Sequence, residues 1–286
     1  GLEFLAEGPI SKAKGSSFVA SYRYGIASLA ATGTSATPFY QDFSFKANLG
    51  ETKLGRFELF GLGGLSSIDF FGEETDENDL FANPDEDAFV TSQLALGGLS
   101  HLIRLDKNTY LKTSLGVSTN YNEFLQDNLI RDGDNNVIQS FRATNVENRE
   151  VRYTLSTSLN RKFNARWSMK AGLLNELYSV DFFTEDRDDR IEIPDNDGDN
   201  VPDFFLTQTN IEDQYNLTQA YVQAEYKFTD DLNATFGLHG QYLDFSEKFA
   251  IEPRAALSWQ LRPDKRVSFA YRSEEHTSEL QSPDHL

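Results

Sequence analysis

Residues 110–122 read YLKTSLGVSTNYN. The odd positions are Leu111, Thr113, Leu115, Val117, Thr119 and Tyr121. The even positions are Tyr110, Lys112, Ser114, Gly116, Ser118, Asn120 and Asn122. A strand sends successive side chains to opposite faces, so this stretch predicts a strand with one greasy face and one wet face. The wet face is small and hydroxyl-rich rather than laced with charge. The run exceeds the about 5–6 residues of an ordinary globular strand. About 9–11 tilted residues suffice to cross a bilayer as a barrel strand. An edge strand of a soluble sandwich would carry the same alternation, so the rest of the chain must decide.

Composition narrows the choice. With 39% hydrophobic residues and a mean hydropathy of −0.50, nothing resembles a helical membrane span. A membrane barrel stays open, because only every second residue of its strands is apolar. The 23 Phe and 12 Tyr are enough to furnish aromatic girdles. With no Cys there are no disulfides and no thiolate metal sites. A net charge of −19 argues against nucleic-acid binding, which needs a basic stripe. Gly1 opens the chain without Met or leader, and the expectation is a piece of a longer protein.

The same alternation recurs along the chain. Leu2–Ile10 is a predicted strand, closed by the turn Ser11–Gly15. Ser16–Leu29 follows, then Tyr40–Leu49, where Phe43, Phe45, Ala47 and Leu49 oppose Asp42, Ser44, Lys46 and Asn48. Arg56–Phe70 is interrupted by Gly61, Gly63 and Gly64, which suggest a bend or a close backbone approach. Further strands are predicted over Ala88–Leu105, Thr109–Leu125, Arg149–Phe163, Arg166–Phe183, Gln214–Phe228, Leu232–Phe249, Ile251–Leu261 and Arg266–Tyr271. Long polar loops are expected at Gly72–Asp87, Asp127–Asn145 and Thr184–Glu212, with short turns between them. Short turns on one side and long loops on the other mark an outer-membrane barrel. A Greek-key sandwich would break that parity. The predicted fold is therefore all-β: an antiparallel, up-and-down transmembrane β-barrel of about twelve strands.

Thr37–Leu49 (TPFYQDFSFKANL) and Arg56–Phe70 (RFELFGLGGLSSIDF) resemble the barrel of TonB-dependent outer-membrane receptors, particularly those of Bacteroidota. So do GLEFLAEGPI at the start and IEPRAALSWQL (Ile251–Leu261) near the end. The resemblance implies a barrel of about 22 strands around a plug domain. Residues 1–271 would then be an incomplete barrel, with the plug and the TonB-contacting segment upstream. It implies energy-coupled uptake of a scarce nutrient (siderophore, vitamin, glycan or peptide) across a Gram-negative outer membrane, with no bond chemistry. The implied partners are the TonB complex through the plug, outer-membrane lipid and lipopolysaccharide, the small-molecule or oligomeric nutrient, and a surface lipoprotein. Arg272–Ser282 (RSEEHTSELQS) resembles translated read-through of a sequencing adapter. Residues 272–286 are therefore set aside as a non-native, unpacked tail.

Ligand contacts are expected from the loops 72–87, 127–145 and 184–212, and lumen contacts from Arg152, Lys170 and Glu225. In DNDGDNVPD, Asp195, Asp197 and Asp199 stand at the spacing that turns three carboxylates into one calcium shell, with Asp203 placed to close it. The bidentate Glu of an EF-hand is absent, since Leu206 stands there. A merely hydrated acidic loop is the competing reading. Asp132, Asp134 and Asn136 repeat the spacing in shorter form. No other cofactor is expected.

Catalysis finds little footing. His101 and His239 fall on strands without a Ser or Cys in a nucleophile context. Gly61–Gly64 lacks the following helix of a phosphate loop. The alternatives to a receptor are a passive porin or fatty-acid channel, a barrel enzyme, and a secreted calcium-binding β-protein. A porin needs no TonB-contacting segment, an enzyme needs a rim Ser–His or Asp–His pair, and a secreted protein needs no lipid-facing alternation.

Overall fold

The computed structural model describes residues 1–26, 36–74, 83–187, 196, 198, 201 and 203–272. The strands are β1 (Leu2–Ser11), β2 (Ser16–Ile26), β3 (Ala36–Thr52), β4 (Gly55–Phe70), β5 (Glu86–Arg104) and β6 (Thr109–Arg131). They continue as β7 (Val137–Lys162), β8 (Trp167–Asp186), β9 (Leu206–Lys227), β10 (Leu232–Leu243), β11 (Lys248–Arg262) and β12 (Lys265–Arg272). Single 3₁₀ turns lie at Gly72–Glu74 and Asp244–Ser246. Among the described residues the twelve strands form one sheet in sequence order, each antiparallel to its neighbour, with β1 and β12 at its open edges.

Register places like with like. Leu115 lies opposite Leu99 on one side and Leu155 on the other, and Leu99 lies opposite Leu59. One residue away, Ser114 stands between Ser100 and Ser156. A slip of one residue would exchange the two faces, so alternation fixes register across the whole sheet. A single sheet has no second layer to pack on. Among the described residues the fully buried apolar side chains are only Ala143, Val201, Ala234 and Ala250. Leu115 remains 52% exposed, and Phe43, Tyr153, Leu177, Phe236 and Leu238 are exposed on the same face. A continuous apolar face of that extent requires hydrocarbon against it.

Of the three glycines expected to mark a bend or close approach in β4, Gly61 answers to close approach, whereas a Cβ on Gly63 or Gly64 would meet only ordinary contacts at 3.5 and 3.6 Å. A Cβ on Gly61 would stand 2.5 Å from the Phe45 ring, so the strand leaves room there for an aromatic side chain of β3. The strand prolines fall where pairing stops. Pro9 lies in the edge strand β1. Pro38 lies beyond Phe39, the last β3 residue that β2 reaches, and Pro253 beyond Arg254, where β12 ends. Each has one flank without a ladder partner among the described residues, the setting in which strands tolerate proline.

Several boundaries differ from the sequence expectation, β3 among them, which runs over Ala36–Thr52 rather than Tyr40–Leu49. The stretch 127–145, expected as a polar loop, is mostly strand: β6 runs to Arg131, β7 starts at Val137, and only 132–136 turns. Polar residues on both faces predict a loop, yet a hairpin standing clear of the bilayer is wet on both sides. β9 starts at Leu206, not Gln214, for the same reason. The expected strand Leu232–Phe249 stops at Leu243. There Asp244 Oδ1 accepts the Asn216 backbone N–H at 2.6 Å, ending the ladder, and Glu247 turns left-handed at φ 52°. β12 extends through Arg272, opposite Arg254, and the rest of the proposed tail lies outside the described residues.

Candidate functional site

The wet face meets the lumen, and its rows are built by cross-strand pairing. Ser118, Arg152, Tyr178 and Tyr215 stand opposite one another on β6, β7, β8 and β9. Tyr178 and Tyr215 stack at 4.7 Å between centroids and 11° between planes, and Phe245 lies 6.2 Å from Tyr215. The Arg152 guanidinium lies 5.7 Å over the Tyr178 ring and 3.7 Å from Glu176. Tyr178 donates its hydroxyl proton to Glu176 at 3.3 Å. The result is a flat aromatic wall with the Arg152 cation and the carboxylates of Glu176 and Glu150 beside it. Such a wall can stack a planar or ring-bearing ligand and pair with its charge.

Lower on this face lies a second cluster. Glu252 is only 6% exposed and accepts from Arg254 at 2.7 Å. His239 approaches it to 3.3 Å through Nδ1, and Nε2 lies 3.4 Å from Gln219. Lys170 sits 5.5 Å over the Tyr221 ring. These side chains line a recess of about 530 Å³. Of the lumen residues expected from alternation, Arg152 joins the aromatic wall and Lys170 the recess. Glu225 shares their face opposite Ser168 and Thr235.

Above the apolar band, three arginines tie the long connections to the β6–β7 hairpin. Arg131 donates to Asp85 at 3.1 Å and to the Pro84 and Asn135 carbonyls. Arg142 pairs with Asp127 and lies 6.0 Å from the Phe89 ring. Arg187 donates through Nε to the Arg142 carbonyl at 2.6 Å, and its guanidinium lies over Phe205 and Phe141. Ile138 and Phe204 stay exposed at 63% and 47% in this rim. The staple is not visible in the sequence, because a loop over 127–145 carries no register to join Asp127 to Arg142.

The expected loop residues are only partly described. Gly72 donates its N–H to Asp87 at 2.8 Å, closing the base of the first loop. Asp203 accepts from the Asn196 N–H at 3.1 Å and from its amide. Asp195, Asp197 and Asp199 lie outside the described residues. In the shorter motif, Asp132 accepts the N–H groups of Asp134 and Asn136, both at 2.9 Å. Those donors, Asn136 first, hold its carboxyl below the usual carboxylate range. Asp132 thus closes a turn, with Asn135 at φ 67°. Among the described residues no group of three or more His, Asp or Glu converges on a common point. His101 stacks on Phe57 at 4.3 Å on the apolar face, with Nε2 2.6 Å from the Leu54 carbonyl.

Residues 21–274 match the family described as TonB dependent receptor-like, beta-barrel. No curated protein matches the chain. The pyoverdine outer membrane receptor FpvA from Pseudomonas aeruginosa PAO1 superposes with a TM-score of 0.66 at 13% identity, over 94% of this chain and 43% of FpvA. BauA, the ferric preacinetobactin receptor from Acinetobacter baumannii, gives 0.61 at 11% identity, over 93% and 45%. The RagAB peptide transporter gives 0.56 at 10%, over 87% and 33%. The chain thus spans less than half the length of these structures, and at such identities they share its fold.

Proposed function

This chain belongs to the TonB-dependent receptor β-barrel family, and from that premise we propose that it supplies twelve strands of a larger importer barrel. The family consists of transport proteins of the Gram-negative outer membrane, not enzymes. In the proposed mechanism the rim captures a nutrient, the lumen wall holds it, and a plug moves when the TonB complex draws on the inner-membrane proton gradient. A surface lipoprotein assisting capture, and a Bacteroidota source, belong to the same proposal.

The observation that carries the reading is the Arg152–Tyr178–Tyr215 wall, set on the face away from lipid. Its stacking surface beside the Arg152 cation and the carboxylates of Glu176 and Glu150 suits a ring-bearing, polar nutrient. Two superposing proteins bind siderophores by name and a third is a peptide transporter. Siderophores and peptides are therefore the first candidates. The acidic stretch Asp195–Asp203 as a calcium loop is part of the proposal, with affinity on the order of 10⁻⁴–10⁻³ M, the extracellular range. Calorimetry with Asp197→Ala checks it.

The deciding experiment is uptake by cells carrying the full-length receptor, offered labelled ferric siderophores, cobalamin, oligosaccharides and oligopeptides. One compound should enter in a receptor-dependent way, and a protonophore should stop it. Receptor-dependent entry that ignores the protonophore would mark a passive channel instead.

A further inference from the structure

Three polar side chains cluster at one point of the face given to lipid. Asn175 lies opposite both Leu155 and Thr218, and Asn216 opposite Leu177. Asn175 Nδ2 donates to Asn216 Oδ1 at 2.7 Å and to Thr218 Oγ1 at 2.8 Å. Thr218 donates to Asn216 Oδ1 at 2.9 Å, and Asn216 Nδ2 donates to Asn175 Oδ1 at 3.4 Å. The network uses both hydrogens of the Asn175 amide. It leaves one N–H on Asn216 and spare accepting capacity on Asn175 Oδ1, whose bond is long. Beside the island lies a broad, shallow apolar depression of about 770 Å³, open along its length, lined by Leu59, Leu115, Tyr153, Leu155 and Leu177 and reaching Asn175.

Depth decides what can reach it. Trp167, Tyr226 and Phe228 form the inner aromatic belt, with centroids 4.9 Å apart in each successive pair. Asn175 lies eight residues beyond Trp167 along β8. At a rise of about 3.3 Å per residue and a tilt of about 40°, that is about 20 Å higher. The apolar band of such barrels is about 25 Å tall. The island therefore sits in the outer part of the band, about 5 Å inside its edge and within reach of the linkages of the acyl chains. A polar group in hydrocarbon is costly unless met, and this one presents a donor and an acceptor together. An ester linkage offers acceptors only, whereas a secondary amide offers both.

We propose that the island and depression dock one amide-linked acyl chain of lipopolysaccharide, chain in the depression and amide on Asn175 and Asn216. The inference rests on the outer-membrane receptor reading. The test is native mass spectrometry of the full-length receptor extracted from outer membranes in mild detergent, counting bound lipopolysaccharide and phospholipid. Removing two hydrogen bonds with N175L/N216L should lower lipopolysaccharide retention on the order of tenfold. Phospholipid retention should stay unchanged. Should that variant fail to fold, judged by heat-modifiable gel mobility, Leu155→Trp fills the depression and carries the same readout. Undiminished lipopolysaccharide in a folded variant would overturn the site while leaving the receptor reading intact. Loss of phospholipid instead would also overturn it, naming the wrong lipid. Recovery of the receptor outside the outer-membrane fraction would overturn the reading and the site together.

Discussion

The two faces of this sheet share one backbone and differ by one residue of register. On the first, Leu115 stands between Leu99 and Leu155. On the second, Ser114 stands between Ser100 and Ser156, with the Ser114 hydroxyl bonded to Ser100 at 3.1 Å. Both faces are open, so exposure alone does not distinguish them. What differs is the solvent each can accept. The first has few charges, and its polar groups include mutually bonded pairs, as Thr113 with Thr157 and Asn175 with Asn216. The second has charges with partners placed beside rings, as Arg152 and Lys170. A barrel wall thus dispenses with a core by giving each face a different medium.

The comparison breaks most visibly under a misplaced charge. Leu115→Arg should destabilise the full-length receptor in bilayers by about 2–4 kcal/mol, the cost at the bilayer midplane. Ser114→Arg, one residue away, should cost within about 0.5 kcal/mol. Denaturant titration in liposomes measures both. Equal losses would mean that the faces are not what they are taken to be here.

Above the bilayer the contrast should fade, and the rim sharpens the point. Arg142→Ala leaves Asp127, 21% exposed, without its partner and frees the side of Phe89. We expect a local loss of about 1–2 kcal/mol. It should appear as faster hydrogen exchange in 124–146 with the strands of the band unaffected. Exchange rising through 109–119 as well would show that rim and band open as one unit.

A smaller effect belongs to the lumen wall. Tyr215→Ala removes a stacked pair worth about 0.5–1.5 kcal/mol. Uptake of the cognate nutrient should fall further than stability does. A variant that loses stability but keeps full uptake would move the ligand elsewhere on the wall.

These contrasts were unequally legible in the sequence. The strands of the band were readable because Leu111–Tyr121 alternates without interruption, and alternation is the physical cause of the two faces. The rim was not: Asp127–Asn145 mixes polar residues on both sides, so the period-two signal vanishes where water lies on both faces. The Arg152–Tyr178–Tyr215 row was half legible. Parity put Arg152 in the lumen, but only register, set over long sequence separations, brings it beside Tyr178. The break at Leu243 was hidden because LDFSEKF continues the alternation that Asp244 ends.

The smallest effect lies at the turns, which belong to neither face. Asp106 closes the β5–β6 turn by accepting the Asn108 N–H at 2.7 Å and the Thr109 hydroxyl at 2.9 Å. These bonds, the Asn108 one first, favour the ionised carboxyl and hold it below the usual carboxylate range. A carboxyl whose folded value is depressed stabilises the fold above its unfolded value, about 3.9. That contribution drains away as pH falls through the folded value. Asp106→Asn keeps an accepting oxygen but no titrating proton, so its turn should be slightly weaker at neutral pH and indifferent to acid. Hydrogen exchange of residues 105–109, compared between wild type and variant at neutral pH and near pH 3, reads the difference directly. The wild type should be better protected at neutral pH, and the gap should narrow on acidification. A gap that stays constant would mean that charge at Asp106 contributes nothing and that the turn is held by its hydrogen-bond geometry alone.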